Sequence, residues 1–228
     1  MNKILFFDTG PIITLVLSRL SWLLPALKKQ FGGKFYITPA VKLELVDRPL
    51  QVRRFSLEAL QVSRLIREGI LEIYDAVPEK KVHSLQQLAN QSFMINGKTL
   101  DIIQTGEMEA VVCAMQLKAS VVMDERTLRL FMENSNELAQ VLERRFGNTV
   151  TLNKETIKNF NREFEDLIII RSIELVSVAY KLGLLDSFRP EMKNGKEVLI
   201  ESLLWATKYN GCAVTDHEIE EIKKFLVK

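Results

Sequence analysis

The chain has 228 residues and a mass of 26.2 kDa, is 47% apolar and 26% charged, and is therefore long and apolar enough to bury one substantial core. That excludes a disordered polymer and a disulfide-built miniprotein. Thirty-one basic against 29 acidic residues leave a formal charge of +2, so any binding to phosphates must come from a local patch.

The first 27 residues are strongly apolar, but Asp8 and Arg19 divide them into uncharged runs of 10 and 8 residues. Both fall short of the roughly 20 residues that a membrane-spanning helix needs. A signal peptide would have to enclose Asp8 in its apolar region and lacks a small-residue cleavage site, so the N-terminus is read as part of the fold. Ile4-Leu5-Phe6-Phe7 is a short unbroken apolar run, the pattern of a strand covered on both faces, and it ends at Asp8. Thr9, Gly10 and Pro11 then open a helix whose apolar face runs from Ile12 to Leu27. Lys34 to Ile37 reads as the second strand, and Thr38-Pro39 starts a helix that reaches about Val46. A helix over Leu57 to Arg67 and a strand over Leu71 to Tyr74 follow. From Leu85 the pattern is helical, broken around Asn96-Gly97, and Thr105-Gly106 opens a helix to about Leu117. Ser120 to Met123 is the next buried strand, stopping at Asp124; Leu167 to Ile170 is a fifth apolar run, followed by a helix to Leu182 with Gly183 as its stop.

This alternation predicts an α/β fold, a mainly parallel central sheet with helices on both sides. The expected organisation is a domain over residues 1–190 and a helical C-terminal extension over residues 191–228. The two cysteines, Cys113 and Cys212, lie far apart and make neither a metal motif nor a disulfide framework, which suits a reducing, cytoplasmic compartment.

In parallel sheets the ligand site lies beyond the carboxyl ends of the strands, where Asp8 and Asp124 fall. Glu44 shares a helix side with Ala40 and Val41, and Glu107 aligns with Val111 and Ala114, whereas Glu109 aligns with the polar Gln116. A first-turn acid is common for dipole reasons, which explains Glu109 better than Glu107. Asp101 reads as a loop or cap residue. Four gathered carboxylates would repel one another unless a cation sits between them, and hard oxygen ligands without histidine or thiolate favour Mg²⁺ or Mn²⁺. Such a cluster can activate water and neutralise a phosphodiester.

The segments FFDTGPIITL, ITPAVKLELV, TGEMEAVVCAMQL and ASVVMDERTLR resemble, in order over roughly residues 1 to 131, the successive motifs of the PIN-domain family of metal-dependent ribonucleases, many of them toxins of toxin–antitoxin pairs. The resemblance implies a three-layer α/β/α fold and Mg²⁺ or Mn²⁺ held by Asp8, Glu44, Glu107 and Asp124. It also implies endonucleolytic cleavage of RNA by a metal-activated water. Thr9 corresponds to the hydroxyl residue that supports the first aspartate, and Arg126 is placed to touch a phosphate. The strand end departs from the family in reading Asp124-Glu125-Arg126 where paired aspartates are frequent. An antitoxin protein is the partner implied for a toxin, an RNA-processing nuclease needs none, and a homodimer is implied for either. The apolar helices from Val198 to Ala206 and from Ile219 to Val227 offer surface for that dimer or for core packing.

Residues 1–81 hold 13 basic and 8 acidic side chains. Within them Arg48, Arg53, Arg54, Arg64 and Arg67 follow the Glu44 helix and are the candidate contacts to the RNA backbone, with a solvated helix face as the competing explanation. Asp216-His217-Glu218 imitates a ligand cluster, but Thr215-x-x-Glu218 is a capping box before the last helix. Phe7-Asp8-Thr9-Gly10 imitates an aspartyl-phosphate motif, but Gly10 stands where that chemistry needs a second aspartate. The expected function is an Mg²⁺- or Mn²⁺-dependent endoribonuclease. The alternative is a catalytically inactive PIN-like module that binds RNA or a protein, and a phosphatase or DNA nuclease using the same rim is a third reading.

Overall fold

The computed structural model describes residues 3–227. Strand β1 (Ile4–Phe7) pairs in parallel with β2 (Lys34–Ile37) and β6 (Ser120–Val122); β3 (Glu72–Ile73) and β8 (Ile169–Ile170) complete a five-stranded parallel sheet in the order β3-β2-β1-β6-β8. Side chains alternate across a strand, so β1 sends Phe6 to one face and Leu5 and Phe7 to the other. Phe6 joins a core built with α5 (Glu79–Asn90), α6 (Thr105–Gln116), α7 (Arg126–Glu133), α8 (Ser135–Phe146) and α9 (Lys154–Glu163). Leu5 and Phe7 join a second core with α1 (Thr9–Leu17), α2 (Leu23–Phe31), α4 (Ser56–Arg67) and α10 (Ser172–Lys181). A run of apolar residues in β1 is needed because both of its faces are buried. The fold is α/β, with helices on both faces of a central parallel sheet. Helices α11 (Gly195–Tyr209) and α12 (Asp216–Val227) pack beyond α10, with Leu199 and Leu203 of α11 entering the second core and Ile200, Leu204 and Ile219 forming a third with Ile173. Among the described residues no helix is long and apolar enough to cross a membrane.

Three local features differ from the sequence expectation. The first predicted helix is two helices, because α1 ends in a Schellman motif: Arg19 takes a left-handed φ of 59°, its N–H donates to the Val16 carbonyl, and the Leu20 N–H donates to that of Leu15. Leu20 is the buried apolar residue that such an end requires. The helix begun at Thr38-Pro39 stays α-helical only over α3 (Pro39–Lys42) and then widens into a π turn over Leu43–Asp47, closed by the Arg48 N–H donating to the Leu43 carbonyl at 2.9 Å. Asn96 and Gly97, read as a break between helices, form a hairpin turn with φ of 51° and 75°. That hairpin joins β4 (Phe93–Ile95) to β5 (Lys98–Thr99), and β7 (Val150–Leu152) adds a third antiparallel strand.

Candidate acidic site at the sheet switch point

From β1 the chain crosses to β2 on one side and later to β6 on the other, so the β1/β6 boundary is the point where strand order reverses and a crevice opens at the carboxyl ends. Asp8 leaves β1 and Asp124 follows β6, and the two strand ends are tied where the Asp8 N–H donates to the Val122 carbonyl at 2.9 Å. Both side chains are buried. Between them lies Gly10, where a Cβ would stand 3.4 Å from the Cβ of Asp124 and 3.6 Å from Asp8 Oδ2.

Asp8 caps α1 by accepting from the Gly10 N–H at 3.3 Å. Burial pushes its carboxyl up to about 6, the neighbouring charges of Glu44 and Asp124 add to that, and the Thr9 and Gly10 N–H groups oppose it. Glu44 arrives from the π turn: Thr9 Oγ1 donates to its Oε2 at 2.7 Å, and its Oε1 lies 3.3 Å from where a Cβ on Gly106 would stand. Gly106 is in the first turn of α6, so the carboxylate rests at the positive end of a helix, and the missing side chain lets it approach. Glu107, next in that turn, accepts from the Gln104 N–H at 3.1 Å. Burial drives its carboxyl up to about 8, reinforced by the charges of Glu125, Asp8 and Glu44.

Glu125 is therefore a member of the group that sequence patterning missed, although the Asp-Glu-Arg departure at the strand end marked its position. It caps α7 by accepting from the Leu128 N–H at 3.0 Å and lines one cavity with Glu107. Among the described residues none of these five carboxylates pairs with a lysine, arginine or histidine. The donor set is all hard oxygen and its charge is uncompensated, which fits a divalent cation. Yet no three His, Cys, Asp or Glu among the described residues converge tightly enough to hold an ion as they stand.

Asp124 differs from the other acids. Thr14 Oγ1 donates to its Oδ2 at 2.8 Å and the Ser172 N–H donates to its Oδ1 at 2.7 Å, and the nearby Cys212 thiol is pushed up to about 12 by burial and by the Asp124 charge. The loop between α11 and α12 is strapped over this point. The Ala213 N–H donates to the Asp124 carbonyl at 3.2 Å, Arg129 and Arg171 donate to the Ala213 carbonyl, and the Asn210 side chain reaches Ser18 Oγ at 3.1 Å.

The remaining sequence candidates take other positions. Arg126 is held by Glu137 at 2.6 Å and faces a separate cavity with Arg129, Lys208 and Cys212. Arg48, Arg53 and Arg54 are exposed along the segment between the π turn and α4, while Arg64 is paired with Glu68. Asp101 accepts from the Asn90 amide and Glu109 from the Ala40 N–H, both local supports. Glu218 closes the capping box with Thr215 and also binds Arg171.

The raised carboxyl of Glu107 makes a pH prediction. The folded chain keeps its proton where the unfolded chain has released it, so the contribution to stability is complete below about pH 4.5 and is lost as pH rises through about 8. In chelator, melting temperature should fall by roughly 5 °C between pH 5 and 8. The slope should flatten in Glu107→Gln, which can still accept from Gln104. Parallel slopes in thermal melts of the two proteins would contradict the assignment. No protein-family model, curated protein or solved structure matches this chain.

Proposed function

We propose that the chain is a PIN-type endoribonuclease, dependent on Mg²⁺ or Mn²⁺, that hydrolyses RNA phosphodiester bonds at the acidic crevice. The observation that carries this reading is the gathering of Asp8, Glu44, Glu107, Asp124 and Glu125 with no cationic side chain paired to any of them. Carboxylates buried together without a countercharge cost the fold stability, and a site that tolerates this is a candidate for function. Asp8, Glu44 and Glu107 would hold the cation, with Glu125 beside them; bound there, it would lower the pKa of a water and neutralise charge on the phosphate. Thr9 holds Glu44, and the Thr14 and Ser172 hydrogen bonds hold Asp124 at the rim. The buried, unpaired thiols suit the reducing compartment in which cytoplasmic RNA is met. A homodimer and, in a toxin, an antitoxin partner belong to the same reading.

A specific observation favours the second reading, an inactive binding module: no three acids stand in chelating positions among the described residues. One pair of measurements separates the two. Calorimetric titration with Mn²⁺ should show saturable binding that Asp8→Asn removes, and labelled RNA, DNA and a phosphomonoester assayed side by side should show RNA cleavage that EDTA stops. Absence of Mn²⁺ binding in the titration, with intact RNA in the assay, would retire the enzyme in favour of the module.

A further inference from the structure

Two cavities touch the acids, and each is lined by a phenylalanine whose preceding residue is an arginine. One of about 270 Å³ is lined by Glu107, Glu125, Arg145 and Phe146; the other, of about 220 Å³ and mostly apolar, is lined by Glu44 and Phe55 between α1 and α4. Phe146 is the last residue of α8 and Phe55 immediately precedes α4, so each ring stands at a helix end. Each is 45% exposed. The Arg145 guanidinium lies 5.6 Å from the Phe146 ring centre and that of Arg54 lies 5.3 Å from the Phe55 ring centre. Neither arginine pairs with a carboxylate among the described residues.

An RNA strand reaching the crevice meets a concentration of negative charge that repels its phosphates. Attachment must therefore come from outside the acids, through contacts that carry positive charge or none. A half-exposed ring offers a base a stacking face whatever its sequence, and a guanidinium beside it offers a phosphate contact. Only an unpaired base has a free face to give.

We propose that these two Arg–Phe pairs bind unpaired nucleosides of a single-stranded RNA on either side of the acidic cluster, a base stacked on each ring and a backbone phosphate on each guanidinium. The inference rests on the ribonuclease reading for its substrate class, but it is a statement about binding. One cavity meets the acids at Glu44 and the other at Glu107 and Glu125, and the Glu44 carboxylate rests against Gly106, the residue before Glu107, so a strand bound at both rings would pass the acids.

The test uses the full chain and a fluorescein-labelled 12-nucleotide RNA, single-stranded or annealed to its complement, with anisotropy read in chelator at several salt concentrations. Phe146→Ala and Phe55→Ala should each weaken single-strand binding roughly five- to hundredfold, the double variant more than either, while Phe146→Tyr keeps wild-type affinity. Duplex binding should be unaffected. Arg145→Ala should lower the slope of log affinity against log salt by about 1. Unchanged single-strand affinity in both alanine variants overturns the inference, as does an equal loss on the duplex, or a wild-type chain that binds no single strand. A chain that binds through the rings but cleaves nothing in Mn²⁺ keeps the inference and removes the ribonuclease. A chain that cleaves RNA with the same KM after both rings are removed does the reverse.

Discussion

Replacing Asp8 with Asn is expected to abolish RNA cleavage and, in the same protein, to raise the melting temperature. Asparagine caps a helix as well as aspartate does, so the bond from the Gly10 N–H and the start of α1 survive. What disappears is a negative charge that burial and the neighbouring Glu44 and Asp124 make costly, as its carboxyl at about 6 reports. In chelator at pH 8 the variant should be more stable by about 1–3 kcal/mol, and the gain should vanish below about pH 3, where Asp8 is protonated in folded and unfolded chains alike. On the proposed reading, cleavage in Mn²⁺ should fall roughly a hundredfold or more, because the lost charge is one that would hold the cation. Stability and activity moving in opposite directions is the expected mark of a strained functional site. A variant that melts lower than the parent at pH 8 would place Asp8 among the supports of the fold.

Asp124→Ala should behave in the opposite way. The carboxylate takes hydrogen bonds from the buried Thr14 hydroxyl and from the Ser172 N–H, and alanine leaves both donors unpartnered. Each such group costs about 1–3 kcal/mol, so a loss of about 2–6 kcal/mol is expected, a large part of the whole for a domain of ordinary stability. Asp124→Asn should recover part of it, since one side-chain oxygen still accepts while the amide faces a donor. Urea denaturation measures this directly, with a lower midpoint and an unchanged slope as the expected result. A midpoint equal to the parent's would remove Asp124 from the framework that joins β6, α1, α10 and the loop before α12.

The four acids named from sequence occupy one neighbourhood, but they are not equivalent there. Strand-end position identified Asp8 and Asp124 alike, because both terminate apolar runs. The partners that set them apart come from far along the chain, Thr14 from 110 residues before Asp124 and Ser172 from 48 after it, and no local pattern encodes such pairings. Glu44 was legible as an acid on an apolar helix side, yet the π turn that carries it was not, since one extra residue per turn leaves no mark in hydrophobic spacing. Glu125 was hidden because its role as a helix cap is also an ordinary one; only its proximity to Glu107 gives it a second meaning. The Asn96-Gly97 hairpin was readable in principle, but the flanking strands are three and two residues long and show no alternation to support it.

Local chemistry in the chain determined the strand and helix alternation, the cap at Thr38, the two-sided burial of β1 and the class of fold, because each depends on residues within a turn or a pleat of one another; the first helix is capped by Asp8, one residue before the expected Thr9. Tertiary structure decided which carboxylates are left without a countercharge, which one is clasped by donors, and which exposed rings share a cavity with an acid. Those properties are set by burial and by distances between remote segments, and electrostatic energy in a crevice depends on what the folded chain has removed from water.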